Sequence, residues 1–99
     1  MAKRNSPGLR LLRVALDEDR FDELATLGLH ARDFTGDARQ MYDWIEQHLD
    51  KYKNLPSSET CAEELGLRLP AACDFQMAVD TYRDKLLDTA VRDRTRQVV

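Results

Sequence analysis

Four histidine and cysteine side chains of the sequence could bind a metal or act as nucleophiles and bases. They are His30, His48, Cys61 and Cys73. Their number would suffice for one zinc site, but their spacings match no metal motif, and both cysteines occupy apolar helical positions. We therefore interpret the cysteines as packing residues and predict no bound metal. His48 lies beside an apolar helical stripe, which favours a partly buried structural histidine over a catalytic base.

The patterns of phosphate-binding and hydrolytic enzymes are also missing from the sequence. The four glycines are isolated from one another, so there is no phosphate-binding loop of the Walker type. No serine stands in a recognisable nucleophile elbow with a histidine and an acid. The acidic runs at residues 17–19 and 63–64 are interpreted as solvated charge at helix ends. The sequence accordingly predicts a chain without catalytic activity and without a cofactor.

Length, composition and charge describe one small globular domain. The chain has 99 residues, of which 42% are hydrophobic and 33% charged, and its net charge is −3. No apolar run approaches the roughly 20 residues that span a bilayer. Two cysteines in an otherwise helical chain favour the reducing cytoplasm. Residues 14–37 hold seven acids and two bases, which argues against general nucleic-acid binding, so direct DNA contact is expected to be weak or absent.

The strongest helical pattern runs from Asp37 to Lys53. Its apolar residues recur at steps of three and four and form one stripe, as wide as a core-facing helical face. The stripe consists of Ala38, Met41, Tyr42, Ile45, Leu49 and Tyr52. Trp44 lies on its flank. Because the tyrosines of the chain sit at core spacing, we interpret them as packing residues and not as a platform for stacking bases.

Shorter helices are predicted before this one. The first helix begins at Pro7, after a frayed segment over residues 1–6. Asp19 is predicted to be the N-cap of a short second helix, which ends at Gly28. A turn over residues 31–36 then carries Phe34 into the core.

Two more helices are predicted after the central one. Ser57 is the expected N-cap of a helix over residues 58–65, which ends at Gly66. The last helix is predicted to start within residues 71–74 and to run to about residue 97. No segment alternates with a period of two between turns, so we predict no strand.

The last helix is apolar on two sides. Its main stripe begins at Phe75 and ends near Ala90, while Leu87, Val91 and Val98 lie more than about 100° around the helix from it. A helix that is apolar on two sides usually has two neighbours, so we predict that these three residues form a self-association face. The alternative reading is that they are single exposed apolar residues, which folded proteins carry routinely.

These patterns predict an all-α fold, a compact orthogonal bundle of about five helices with a long C-terminal helix. Residues 1–99 form one domain, with core helices over residues 7–70 and the long helix over residues 71–99, leading toward a linker. The following side chains are predicted to anchor the core: Phe34, Met41, Tyr42, Ile45, Leu49, Phe75, Val79, Tyr82 and Leu86.

Most of residues 9–90 resembles the N-terminal domain of DnaB-type replicative DNA helicases, particularly phage-like members. In that family a turn with the sequence Asp-Phe precedes a helix with an aromatic residue at its middle, and a short helix and a longer one follow. The matching residues are Asp33-Phe34, Tyr42-Asp43-Trp44-Ile45, Leu55-Pro56-Ser57, Glu59-Thr60 and Glu63-Glu64-Leu65. Cys61 departs from the pattern, because a larger apolar residue is usual there.

The resemblance implies a non-catalytic collar domain that pairs with copies of itself around a ring. In such helicases this domain helps hold the hexamer and offers surfaces to primase or to a helicase loader, while ATP and Mg²⁺ belong to a separate motor domain. Two other hypotheses remain open. The basic ends of the chain would suit a small helical DNA-binding or regulatory protein. A stand-alone interaction protein of phage or mobile-element origin could use the same fold against a host helicase.

Overall fold

Five α-helices and one short 3-10 helix make up the computed structural model, which describes the backbone of residues 7–98 and the side chains of residues 7–87. The helices are α1 (Pro7–Asp17), α2 (Glu23–Thr26), α3 (Gly36–Tyr52), α4 (Ser58–Leu65) and α5 (Phe75–Val98), and the 3-10 helix (Ala31–Asp33) precedes α3. No strand occurs within residues 7–98, so the prediction of an all-α fold is confirmed. The segment predicted to be frayed, residues 1–6, lies outside the described residues.

Helix α4 begins and ends where the sequence predicted. The hydroxyl oxygen of Ser57 accepts a hydrogen bond of 3.1 Å from the backbone N–H of Thr60, and so caps the helix. Gly66 has a φ of 66°, the left-handed conformation that ends many helices, and glycine adopts it without steric cost. Local capping chemistry therefore fixes both ends of this helix.

The prediction that Asp19 caps the second helix is wrong. Asp19 has a φ of 57° and terminates α1, because its N–H donates to the carbonyl of Leu16 and the N–H of Arg20 donates to the carbonyl of Ala15. These two bonds form the Schellman arrangement, in which a left-handed residue follows the last helical turn. Aspartate tolerates that conformation better than most residues, and α2 begins only at Glu23.

Helix α1 lies at the centre of the domain and packs against α3, α4 and α5. It is buried around most of its circumference by Gly8, Leu9, Leu11, Leu12, Val14, Ala15 and Leu16. Gly8 permits the close approach of its neighbours, because a Cβ atom there would lie 2.8 Å from the Cβ of Ala38 and 3.3 Å from a ring carbon of Tyr82. The absence of a side chain at Gly8 therefore lets α3 and α5 pack directly on α1.

A chain of aromatic rings joins α5, the turn before α3, and α3 itself. The ring of Phe34 stacks on Tyr82 with a centroid distance of 4.9 Å and on Tyr42 with a distance of 5.0 Å. Tyr42 in turn contacts Phe21, with a centroid distance of 5.1 Å. The hydroxyl of Tyr82 donates a hydrogen bond to the backbone carbonyl of Asp33, so its polar end is satisfied inside the core.

Most of the predicted core anchors are buried. They are Phe34, Met41, Tyr42, Ile45, Phe75, Val79 and Tyr82. Leu86 is half-buried and packs against the core. Leu49 departs from the prediction, since it is only half-buried, and Tyr52 departs further, with 54% of its surface exposed. Burial thus decreases from Ile45 toward the end of α3, because the core does not extend along the whole stripe.

We predict that Gly8→Ala destabilises the domain, although alanine is the better helix former by about 1 kcal/mol. The added methyl group would lie 2.8 Å from the Cβ of Ala38, so helices must move apart, at a cost of about 1–3 kcal/mol. The measurement is urea unfolding. Gln40→Ala, at an exposed position of α3, is the control and should change the free energy of unfolding by less than about 0.5 kcal/mol. A stabilised Gly8→Ala variant would contradict the close approach.

A second prediction concerns alkaline pH. Burial, with the Asp33 carboxylate as a smaller cause, raises the pKa of Tyr82 from 10.0 to about 12. The folded state therefore favours the neutral phenol, so this stabilisation is complete below pH 10 and is lost as the pH rises toward 12. The free energy of unfolding should fall less steeply above pH 10 in Tyr82→Phe than in the wild type. The free energy of unfolding is measured by denaturant titration at several pH values above 10. An equally steep fall with pH in the two proteins would contradict the assignment.

Candidate functional site: exposed faces of α3 and α5

The residues with metal-binding or nucleophilic chemistry do not converge in the structure. Among the described residues, no group of three or more histidine, cysteine, aspartate or glutamate side chains is placed to hold a metal ion. Cys61 is fully buried, and burial raises the pKa of its thiol to about 11, so the reactive thiolate is disfavoured. Cys73 is half-buried and its thiol faces the carbonyl of Asp74 at 3.5 Å. These positions fit packing better than catalysis.

Helix α5 separates two adjacent leucines onto different sides. Leu86 packs against the core, whereas Leu87 has 65% of its surface exposed. The other two residues of the predicted self-association face, Val91 and Val98, lie outside the residues whose side chains the structure describes. The helical backbone continues through Val98, so α5 extends eleven residues beyond Leu87. The described part of the face is therefore one large exposed hydrophobic side chain.

An aromatic row runs along one side of α3. The ring centroids of Trp44 and His48 are 5.4 Å apart, and those of His48 and Tyr52 are 4.7 Å apart. The ammonium of Lys51 lies 5.2 Å from the centroid of Tyr52, within the range of a cation–π contact. A ring nitrogen of His48 is 3.1 Å from the carbonyl of Asn54, which ties the row to the end of the helix.

Sequence reasoning placed Tyr52 in the core and so missed this row. Trp44, His48 and Tyr52 follow each other at intervals of four residues, the spacing that brings side chains together on a helix surface. This four-residue interval was the signal in the sequence that could have predicted the aromatic row. It could not show that Tyr52 projects into solvent, because this depends on which elements cover the end of α3.

Two adjoining depressions lie around Leu49, with volumes of about 580 and 440 Å³. Both are bordered by Leu49 and Lys53, and we name them together the leucine groove. Its full lining is Asp19, Asp22, Glu46, Leu49, Asp50, Lys53, Asn54 and Leu55. Two leucines form the apolar part, and four carboxylates and one ammonium group surround them, so the lining has a formal charge of −3. Such a surface is suited to a partner that is both apolar and basic.

The leucine groove was not predicted, because the spacing of Leu49 matches the core stripe of α3. Leu49 nevertheless is not one of the half-buried hydrophobic residues that pack against the core, whereas Leu55 is. The carboxylates come from two separate segments. Asp19 and Asp22 follow α1, while Glu46 and Asp50 lie on α3 itself. Only the folded chain brings these segments to one surface.

The described residues thus offer three candidate surfaces for binding: Leu87 on α5, the aromatic row on α3, and the leucine groove. Within residues 7–98, no helix is long and apolar enough to cross a membrane. Comparisons with protein-family models, with curated proteins and with solved structures found no match to this chain.

We predict that Leu49→Ala is much less destabilising than Ile45→Ala, although both residues belong to the same stripe. Ile45 is fully buried, so its truncation leaves a cavity and should cost about 2–5 kcal/mol. Leu49 borders the leucine groove and is only half-buried, so its truncation should cost no more than about 1.5 kcal/mol. Chemical unfolding of the two variants measures the difference. Equal losses would place Leu49 in the core and contradict the groove.

Proposed function

We propose that this chain is the non-catalytic N-terminal collar domain of a DnaB-type replicative DNA helicase. In this role it would associate with copies of itself, dock a primase or a helicase loader during DNA replication, and act in the cytoplasm. The ATPase motor would belong to another domain. The proposal begins from the resemblance in sequence, and the observation that carries it further is the exposed Leu87 on α5.

The positions of the matching motifs support this proposal. Phe34 of the Asp-Phe turn is buried between Tyr42 and Tyr82, and so connects the central helix to the last one. Ser57 of the Leu-Pro-Ser motif caps the short helix that follows. These two motif residues therefore have structural roles in the domain, as expected where a family pattern maintains a fold.

The argument for self-association comes from α5. This helix has 24 residues and a length of about 36 Å. Among the residues of α5 whose side chains the structure describes, Phe75, Ala78, Val79 and Tyr82 are buried, whereas Leu87 is largely exposed. A single exposed leucine would be unremarkable in a monomer. In the sequence, however, Val91 and Val98 continue the same helical line, and a longer apolar surface is typical of an interaction site.

We predict that the wild-type chain exchanges between monomer and oligomer at high concentration and that Leu87→Glu shifts it to monomer. A carboxylate within an apolar contact must be desolvated, which weakens association. Sedimentation equilibrium up to millimolar concentration measures the shift. Met77→Glu is a matched control, because Met77 lies on α5 with a similar exposure of 58% but about 80° around the helix from Leu87.

Two results would contradict this face. A wild-type chain that stays monomeric at millimolar concentration would remove the basis for self-association. A Leu87→Glu variant that loses its helical circular dichroism would place Leu87 in the domain's own core.

Partner docking is tested by fluorescence anisotropy with the labelled domain. The titrants are the replicative helicase motor, the primase and the helicase loader of the same genome, and DNA at several salt concentrations. Saturable binding to the motor, primase or loader supports a collar domain. DNA binding that weakens steeply with salt would instead favour the DNA-binding alternative. Binding to a complete helicase that already has its own collar would favour a stand-alone interaction protein.

A further inference from the structure

The leucine groove is a surface separate from Leu87, which does not line it. We propose that the groove docks a basic amphipathic helix of another protein. That helix would place one or two large apolar side chains on Leu49 and Leu55, and lysine or arginine side chains beside the surrounding carboxylates. Because Leu87 takes no part, this docking does not depend on self-association through α5 and does not require the chain to be a helicase collar.

The centre of the groove is apolar. Leu49 borders both depressions and is half-buried without packing against the core. Leu55 packs against the core and also borders one of the depressions. An apolar side chain from a partner would remove the exposed part of Leu49 from water, which favours binding in proportion to the area covered.

Two carboxylates at the edge of the groove are not neutralised by the domain. Arg20 stands between Asp19 and Asp22 in the sequence. Its guanidinium, however, donates to Glu23 at 2.9 Å and lies 4.2 Å from the ring centroid of Phe75. The described ion pairs include neither Asp19 nor Asp22. The cation nearest to them in sequence is therefore engaged elsewhere, which leaves both carboxylates for a partner.

The other charges of the groove leave it acidic as well. Asp22 is the N-cap residue of α2, yet its side chain makes no capping hydrogen bond. On α3, the ammonium of Lys53 lies 4.0 Å from the carboxylate of Asp50, an exposed pair of the kind that contributes little. Glu46 takes part in no described ion pair. An apolar centre within this negative field is complementary to an apolar segment that carries cations.

The aromatic row offers no such complementarity. At about 100° per residue, Glu46 and Asp50 fall on one side of the core stripe of α3, and the row falls on the other. The depression beside the row is lined by Trp44, Gln47, His48, Lys51 and Tyr52. That lining contains no carboxylate, so a basic segment is attracted to the groove and not to the row. The same negative field repels nucleic acid and anionic membrane surfaces from the groove.

The length of the groove suits a short helical segment. Along α3 it extends from Glu46 to Lys53, a rise of about 10 Å, which equals about two turns of a visiting helix. Side chains three or four positions apart share one face of a helix. Two turns can therefore present an apolar residue to each leucine and basic residues to the carboxylates, which is the helix-in-groove mode of recognition.

The probe for this proposal is a synthetic peptide of about 18 residues, made only of leucine and lysine, with leucine at the a and d positions of the heptad. The labelled peptide is kept dilute, so that it does not associate with itself, and its fluorescence anisotropy is followed as the domain is added at low salt. We expect saturable binding to the wild type. A peptide with glutamate in place of every lysine should not bind, because its charges are those of the groove.

A pair of charge variants tests the carboxylates. Asp19→Asn combined with Asp22→Asn should raise the dissociation constant of the leucine–lysine peptide about tenfold at low salt. Asparagine also tolerates the left-handed conformation of residue 19, so the turn is retained. Glu63→Gln combined with Glu64→Gln is the matched control. It removes the same charge from exposed positions of α4 outside the groove and should leave the dissociation constant within about twofold.

A pair of leucine variants tests the apolar centre. Leu49→Ala should raise the dissociation constant about fivefold or more, because the partner then covers less apolar surface. Leu87→Ala is its matched control, since it removes the same atoms from an exposed leucine outside the groove and should leave the affinity unchanged. Circular dichroism verifies that all variants keep the helical content of the wild type.

Several outcomes would overturn the docking site. A wild type that does not bind the leucine–lysine peptide, or groove variants that bind it as tightly as their controls, would show that the groove is not the contact. Equal binding of the glutamate peptide would exclude a basic partner. Loss of affinity in Tyr52→Ala but not in Leu49→Ala would move the contact to the aromatic row. None of these results bears on self-association, which Leu87→Glu tests separately.

Discussion

The stacking of Phe34 between Tyr42 and Tyr82 is the contact on which the rest of the domain depends. Centroid distances near 5 Å on both sides place one ring in contact with α3 and α5 at once. Aromatic pairs of this kind contribute about 0.5–1.5 kcal/mol beyond the burial of their surface. The phenol of Tyr82 also binds the carbonyl of Asp33, so the turn is held through its backbone as well as its side chain. The stack and this hydrogen bond together connect the turn before α3 to the last helix.

A 99-residue chain buries a continuous core only because α1 is enclosed by the other helices. Leu11, Leu12 and Ala15 of α1 have no exposed surface. Enclosure on several sides requires neighbouring helices to approach closely, and Gly8 provides the space next to Ala38. The same enclosure leaves α1 only a narrow polar side. Where α1 meets α4, the hydroxyl of Ser58 donates a hydrogen bond of 2.7 Å to the carboxylate of Asp17.

Local sequence signals predicted the helices well and their burial less well. The cap by Ser57 and the stop at Gly66 depend on neighbours within the same few residues, so the sequence contains them. Asp19 shows the limit of this approach, because a carboxylate near two helices can end the first or begin the second. Leu49 shows a different limit, because periodicity identifies the apolar face of a helix but not how much of that face the other helices cover. The leucine groove could not be predicted, since its carboxylates come from two segments that meet only in the fold.

Two leucine side chains among the described residues do not pack against the core, the half-buried Leu49 on α3 and the exposed Leu87 on α5. In a monomer each would expose hydrophobic surface without a compensating contact. The lining of the groove has three more acids than bases, so a partner that covered Leu49 would have to be both apolar and basic.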